Sequence, residues 1–326
     1  MLRRLLFIVT LLFSGPGAMA ENPYGLMLWP APGQDLALTA ARAAALGVAW
    51  YRPPALFLDR WRDDADCAAC RQLEKSGLKL AITIRNGGRD SLPRRPSKPP
   101  SDMALYSHTV GAILDKWKPA MLVVEDEEDQ PLRYDWELDD TPRAYGWELE
   151  AACAAAHNRQ IACGNGGLSY DGAALLTWAT LRREHKNDLA CDFARRALPA
   201  RPELCSGPAD SDELHRLDRL VAIYAKSPID AVNIHWYAAD ATAFAQCIEI
   251  IGRLTGKPVM SNEIALTRSN PDPRHVRPLM RAAMAGHLTL AIWFSVDAAD
   301  SLSLFDEAGR LRPAGEEFAH QMSGRK

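Results

Sequence analysis

Two glutamates, Glu127 and Glu263, end apolar runs that lie far apart in the chain. Glu127 closes Val123-Val124-Glu125-Asp126-Glu127, and Glu263 closes Lys257-Pro258-Val259-Met260-Ser261-Asn262-Glu263. Two carboxyls brought together can divide acid–base and nucleophilic work, one giving up a proton while the other attacks. Arg52, His235, Tyr237 and Trp293 end similar runs, in Tyr51-Arg52, Ile234-His235-Trp236-Tyr237 and Ile292-Trp293. A cation or a hydrogen-bond donor beside a carboxyl favours its ionised form, and a neighbouring negative charge favours the protonated one. The set has the components of a paired-carboxyl site if the fold gathers them.

The runs read as strands: Gly25–Trp29, Val48–Arg52, Leu78–Arg85, Met121–Glu127, Gln160–Gly164, Ala231–Tyr237, Pro258–Glu263 and Thr289–Val296. Helical patterns separate them, among them Gln34–Leu46, Asp102–Trp117, Arg143–Asn158, Ser211–Ala225, Ala241–Leu254 and Arg274–Ala285. Ser101-Asp102 and Ser211-Asp212-Glu213 suit helix starts, and Gly77, Gly256 and Gly286 suit helix ends. Strict β–α alternation implies a parallel sheet, and eight strands close it into a single-domain (β/α)8 barrel. Long loops follow the third strand (Leu92–Pro100) and the fifth (Leu168–Asp210). Both open on the face where the strands end, which is where such barrels build their sites.

Alternation along each strand predicts what points inward. The expected inner sets are Val48, Trp50 and Arg52; Met121, Val123, Glu125 and Glu127; Ala231, Asn233, His235 and Tyr237; Val259, Ser261 and Glu263; and Thr289, Ala291, Trp293 and Ser295. Charge buried at strand ends is costly unless it is paired or used. Six such residues at equivalent ends therefore predict one mouth.

These motifs, in this order, resemble the retaining glycoside hydrolases of clan A, nearest to families 5 and 39. The likeness extends over nearly all of the chain, to Leu304-Phe305-Asp306-Glu307-Ala308-Gly309-Arg310 near its end. It implies hydrolysis of β-glycosidic bonds in a polysaccharide by double displacement, with Glu127 as acid/base and Glu263 as nucleophile. It sets Arg52 and Tyr237 beside Glu263 and makes Trp293 an aromatic floor for the sugar. Asp126, His235, Trp29 and Asn165 complete the expected substrate-binding set. One departure is Asp126, where the clan has Asn, an amide that bonds the sugar 2-hydroxyl. Asp accepts from a hydroxyl but cannot donate, which keeps open an inactive barrel that only binds saccharide. A third reading takes the acidic run Glu125–Asp129 as a divalent-metal loop, but it lacks a nearby His and the alternating ligands of a calcium loop. The expectation is no metal and no cofactor.

The bulk numbers agree with an ordinary globular enzyme: 48% hydrophobic, 24% charged, net charge -3. That balance argues against a nucleic-acid partner, whose site needs a basic surplus. Arg85, Arg89, Arg94, Arg95 and Lys98 around the loop after the third strand suit either a solvated loop or an acidic polysaccharide. Residues 1–20 read as a signal peptide, with Arg3-Arg4, the apolar Leu5–Phe13 and Ala18-Met19-Ala20 before the cut. The expected mature chain, 21–326, is exported to the periplasm or beyond, carries no membrane span and acts as a monomer. Of seven cysteines, Cys191 and Cys205 are the expected disulfide. Cys153, Cys163 and Cys247 read as buried thiols, and Cys67-x-x-Cys70 lacks the second pair that a zinc cage needs.

Overall fold

The computed structural model of the chain describes residues 22–28, 36–62, 68–87, 96–136, 141–268, 271–295 and 300–324. The expected signal peptide and Trp29 lie outside them, as do Cys67, Arg89, Arg94 and Arg95. Eight barrel strands run in chain order: β1 (Tyr24–Met27), β2 (Trp50–Arg52), β3 (Lys79–Arg85), β4 (Met121–Val124), β5 (Ala162–Asn165), β6 (Val232–Trp236), β7 (Val259–Ile264) and β8 (Ala291–Phe294). Neighbours pair in parallel, and β8 returns to β1. Between β5 and β6 the ring closes through single bridges, Gly164–Ala231 and Leu168–Ile234. A two-residue strand, Leu56–Phe57, pairs with the end of β3. This is the (β/α)8 barrel that the alternation predicts.

Local chemistry sets the helix ends. Asp102 caps Met103–Trp117 by accepting from the amides of Ala104 and Leu105, and Ser211 caps Asp212–Lys226 through Leu214. Gly256, at φ 65°, ends Ala241–Thr255 in the left-handed region that glycine enters at least cost. Apolar residues divide into two cores. A small inner one holds Met27, Trp50, Met121, Val123, Ala231, Met260, Leu290 and Ile292. A larger outer one packs the other strand faces on the helices. The inner space is tight at Gly164, where an added Cβ would stand 2.3 Å from the Met260 methyl.

The cores correct three of the expected inner sets. Val48 belongs to the outer core, although Trp50 faces inward as expected. On β7 the inner residue is Met260, not Val259. On β8 Ile292 points inward, as does Leu290 just before it, while Ala291 and Trp293 face the helices. The sets read for β4 and β6 stand within those strands.

The insertion after β5 is folded, with helices Tyr170–Arg183 and Asn187–Ala197 and a short turn Pro202–Cys205. Cys191 and Cys205 form the expected disulfide across it. Cys153 and Cys163 are a second disulfide, not the two thiols that apolar surroundings suggested. Cys153 sits near the end of helix Thr141–His157 and Cys163 in the strand that follows, so a short return brings the sulfurs together. Cys70 is also disulfide-bonded, and Cys247 is a free, buried thiol. No helix among the described residues is long and apolar enough to cross a membrane.

Candidate active site

Strand β7 reaches the mouth through an irregularity. Its register slips by one residue against β6 between Met260 and Glu263 and against β8 between Ser261 and Ile264, the mark of a β-bulge. Asn262 and Glu263 both turn inward there. The Asn262 amide donates to Asn233 Oδ1 at 3.0 Å, and its own Oδ1 accepts from Asn233 Nδ2 at 2.8 Å and lies 2.9 Å from His235 Nε2. Glu263 Oε1 accepts from Arg52 Nη1 at 2.6 Å, while Oε2 accepts from the Tyr237 hydroxyl and lies 3.5 Å from His235 Nδ1. Arg52, 2% exposed, also donates to Thr83 Oγ1 and the Asn262 carbonyl at 3.0 Å. Its guanidinium is fixed on both sides.

Strand β4 ends at Val124, three residues before the expected end. Beyond it Glu125 (φ 72°) and Glu127 (φ 51°) occupy the left-handed region, at a cost of order 1–3 kcal/mol each that the surroundings must carry. Alternation stops there, and the acidic run parts. Glu125 is buried under the turn, accepting from the Asn86 amide at 2.7 Å, with Arg85 Nε 3.5 Å away. Burial, which outweighs Arg85, pushes its carboxyl up to about 7. Glu128 turns into the protein, accepting from Tyr224 at 2.6 Å and Asn165 Nδ2 at 2.9 Å, and burial lifts it to about 7 as well. Asp129 accepts from the Ser169 amide and hydroxyl at 2.7 and 2.6 Å, beside the start of helix Tyr170–Arg183. The run is therefore not a solvated loop, and its carboxylates turn to different partners.

Asp126 and Glu127 face the mouth. Asp126 lies 3.5 Å from Arg52, 3.9 Å from Arg85 and 3.6 Å from Arg133. Burial works against its charge, but Arg52, His235, Arg85 and Arg133 together hold its carboxyl below the usual range. Glu127 Oε1 is 3.1 Å from His235 Nδ1, and Oε2 is 3.3 Å from Arg133 Nε. His235 is fully buried between these acids. Burial disfavours its charge, yet Glu263, Glu127 and Asp126 outweigh that and raise it to about 9. At neutral pH both ring nitrogens therefore donate. Donor atoms of Asp126, His235 and Glu263 converge within 4.8 Å, close enough for one metal ion. Arg52 already occupies Glu263, and three guanidiniums attend Asp126, so a divalent cation would have to displace the protein's own charges.

Six expected residues thus meet at one mouth: Arg52, Asp126, Glu127, His235, Tyr237 and Glu263. Trp293 does not. It is 3% exposed on the outer face, its ring 5.9 Å from Phe318 of helix Pro313–Ser323. The mouth aromatic on β8 is Phe294, 5.8 Å edge-on to Tyr237. Asn165 is fully buried and bonded to Glu128 and to the backbone of Asn233, so it meets no substrate. The sequence reading also missed Asn262, Arg85 as an ion-pair partner, and Arg133. Asn262 carried no periodic signal because a bulge brings it in. Arg133 sits in a turn, where no pattern predicts side-chain direction.

The strand ends of this barrel thus gather an Arg–Glu–Tyr cluster, an imidazole and a second glutamate. No family model and no curated protein matches the chain in sequence. Solved structures match across the fold. An endo-β-1,4-glucanase from Xanthomonas axonopodis pv. citri superposes with a TM-score of 0.57 at 11% identity, over 92% of this chain and 98% of that one. A GH5-4 broad-specificity endoglucanase from Clostridium longisporum gives 0.57 at 9%, over 90% and 87%. An endo-1,4-β-D-mannanase from Thermotoga petrophila RKU-1 gives 0.54 at 11%, over 93% and 99%. At these identities the likeness is one of fold.

Proposed function

We propose that the chain is a retaining glycosidase of β-linked polysaccharide, with Glu263 as nucleophile and Glu127 as acid/base. One observation carries the reading: carboxylate oxygens of both residues lie on the same imidazole nitrogen, at 3.1 and 3.5 Å. That sharing holds those two oxygens no more than about 6.6 Å apart, a bound that admits the roughly 5–5.5 Å separation of retaining enzymes and excludes most of the inverting range, which extends to about 9.5 Å. Arg52 and Tyr237 hold the two oxygens of Glu263 for attack on the anomeric carbon. Glu127 gives its proton to the departing glycosidic oxygen, and a glycosyl ester forms on Glu263. Glu127 then takes a proton from water, whose oxygen attacks the same carbon and frees Glu263. The Asp126 carboxylate accepts a sugar hydroxyl, held by guanidiniums where an amide would need none.

Glu127→Ala and Glu263→Ala should each slow hydrolysis of a β-glucan or β-mannan by 10²–10⁴-fold or more. Azide should rescue Glu127→Ala with retention, and should give an inverted glycosyl azide in Glu263→Ala. Proton NMR of the first product from the parent should show the substrate's anomeric configuration. Undiminished activity in both variants, or inversion in the parent, rejects the assignment. A second reading, a barrel that binds saccharide without cutting it, is favoured by Arg133, whose charge stands 3.3 Å from the acid/base. It is upheld if glycans bind and none is cleaved. The disulfides support export, and we propose a monomer whose mature chain starts at Glu21.

A further inference from the structure

We infer a second saccharide subsite beside the mouth, built for a sugar that carries a carboxylate. It rests on the saccharide reading above. A cavity of about 680 Å³ is lined by Trp136, Pro142, Asp212, His215, Arg216, Asp218 and Arg219. Barrel helices run back against the strands, so a helix that follows a strand starts on the mouth face. Pro142 lies in the first turn of Thr141–His157, and Asp212, His215 and Arg216 lie in the first turns of Asp212–Lys226. The cavity therefore opens on the same face as Glu127. One contact ties it to the acidic turn: the Trp136 indole N–H donates to the carbonyl of Glu128, the residue after Glu127, at 2.7 Å.

The charges at this cavity are not spent on one another. Asp218 is committed to a two-pronged pair with Arg183 at 2.8 Å, and His215 to Asp210 at 2.9 Å. Among the described residues neither Arg216 nor Arg219 forms an ion pair. Arg216 Nε is buried and donates to nothing. A buried donor without an acceptor is rare in a settled fold and marks a place for one. Arg216 and Arg219, three residues apart, share one helix face. The planar guanidinium fork matches a carboxylate with two parallel hydrogen bonds. Trp136, its indole nitrogen already bonded, offers ring surface of the kind that takes the apolar face of a pyranose. Asp212 is the only unspent acid there, so the balance stays positive. A uronate residue meets all three demands, and a neutral hexose leaves the arginines unmet.

The test is a glycan array pairing uronate-bearing with matched neutral β-linked oligosaccharides, probed with the full chain, with Arg216→Ala/Arg219→Ala and with Arg219→Glu. The parent should favour uronate-bearing members at least ten-fold. The double variant should lose that preference while keeping its binding to neutral members. Arg219→Glu, at an exposed position, should reverse the preference. Equal binding of charged and neutral members overturns the subsite, as does a preference untouched by either variant, and so does binding of no glycan. Cleavage of neutral glycans without uronate preference sinks the subsite and leaves the glycosidase reading standing. Arginine-dependent uronate binding without any cleavage upholds the subsite and sinks the glycosidase reading.

Discussion

Adjacent residues on β8 carry opposite duties. Trp293 is packed between strand and helix, whereas Phe294 stands at the mouth against Tyr237. Removing a buried indole costs about 3–5 kcal/mol in lost transfer and cavity. Trp293→Ala should therefore lower the melting temperature by roughly 5 °C or more, with saccharide affinity unchanged in the fraction that stays folded. Phe294→Ala should do the reverse, weakening saccharide binding with little effect on melting. A melting scan and a binding titration on each variant check this, and exchange of the two effects would return Trp293 to the site. Asp126 is a residue-scale matter too. Its carboxylate is kept ionised by cations on three elements, so the charge that departs from the clan's Asn is answered by Arg52, Arg85 and Arg133.

At the scale of elements, two devices bring the site together where regular structure would not. The bulge in β7 turns two successive residues inward, and the strained turn after β4 sends Glu125 below while Glu127 stays above. Disulfides then fasten the supporting pieces, Cys153–Cys163 joining a helix to the next strand over 10 residues and Cys191–Cys205 closing 14. Loops of that length constrain the unfolded chain by about 3 kcal/mol each. The intact mass of exported protein should match a chain starting at Glu21, with two hydrogens lost for each disulfide. Reduction should restore those hydrogens and lower the melting temperature by several degrees. A mass that includes residues 1–20 would refute cleavage, and one that retains all thiol hydrogens would refute the disulfides.

For the whole molecule, four groups in or near the site link stability to pH. Glu125 and Glu128 have folded values near 7, above the ordinary carboxyl value, because burial disfavours their charge. The folded state then binds more protons than the unfolded one, so stability falls as pH rises from about 4.5 to 7. His235 is raised to about 9, so the stability from its charge is complete below its unfolded value of 6.5 and is lost as pH rises through 9. Asp126 works the other way, its lowered value giving stability that is lost as pH falls below the carboxyl range. Melting should therefore be highest near pH 5 and lower by roughly 5 °C or more at pH 9, a loss of a few kcal/mol. Glu128→Gln should flatten the acid-side half of that slope, between pH 4.5 and 7. A melting temperature that climbs steadily from pH 5 to 9 would show that these groups are not buried as described.

The sequence by itself determined the repeating β–α pattern and hence the barrel, because hydrophobic periodicity is local and needs no knowledge of neighbours. It also pointed to Arg52, Glu127, His235, Tyr237 and Glu263 as gathering at strand ends on one face, and to the helix starts at Asp102 and Ser211, since each depends on a few adjacent residues. The tertiary structure alone decided the rest. Alternation assumes an unbroken pleat, so it misplaced Trp293 and Val259, and it placed Glu263 at the mouth only because a bulge restored what the count had lost. Asn165 looked available from its position after β5, but two buried neighbours, Glu128 and Asn233, claim its hydrogen bonds. Cys153 and Cys163 looked like separate thiols until the helix return set them 5.4 Å apart at Cα. Arg133 and Arg85 reach Asp126 from a turn and a neighbouring strand, through contacts that no spacing along the chain encodes. Which charges meet is settled by long-range packing, and that is where the chemistry of this site was decided.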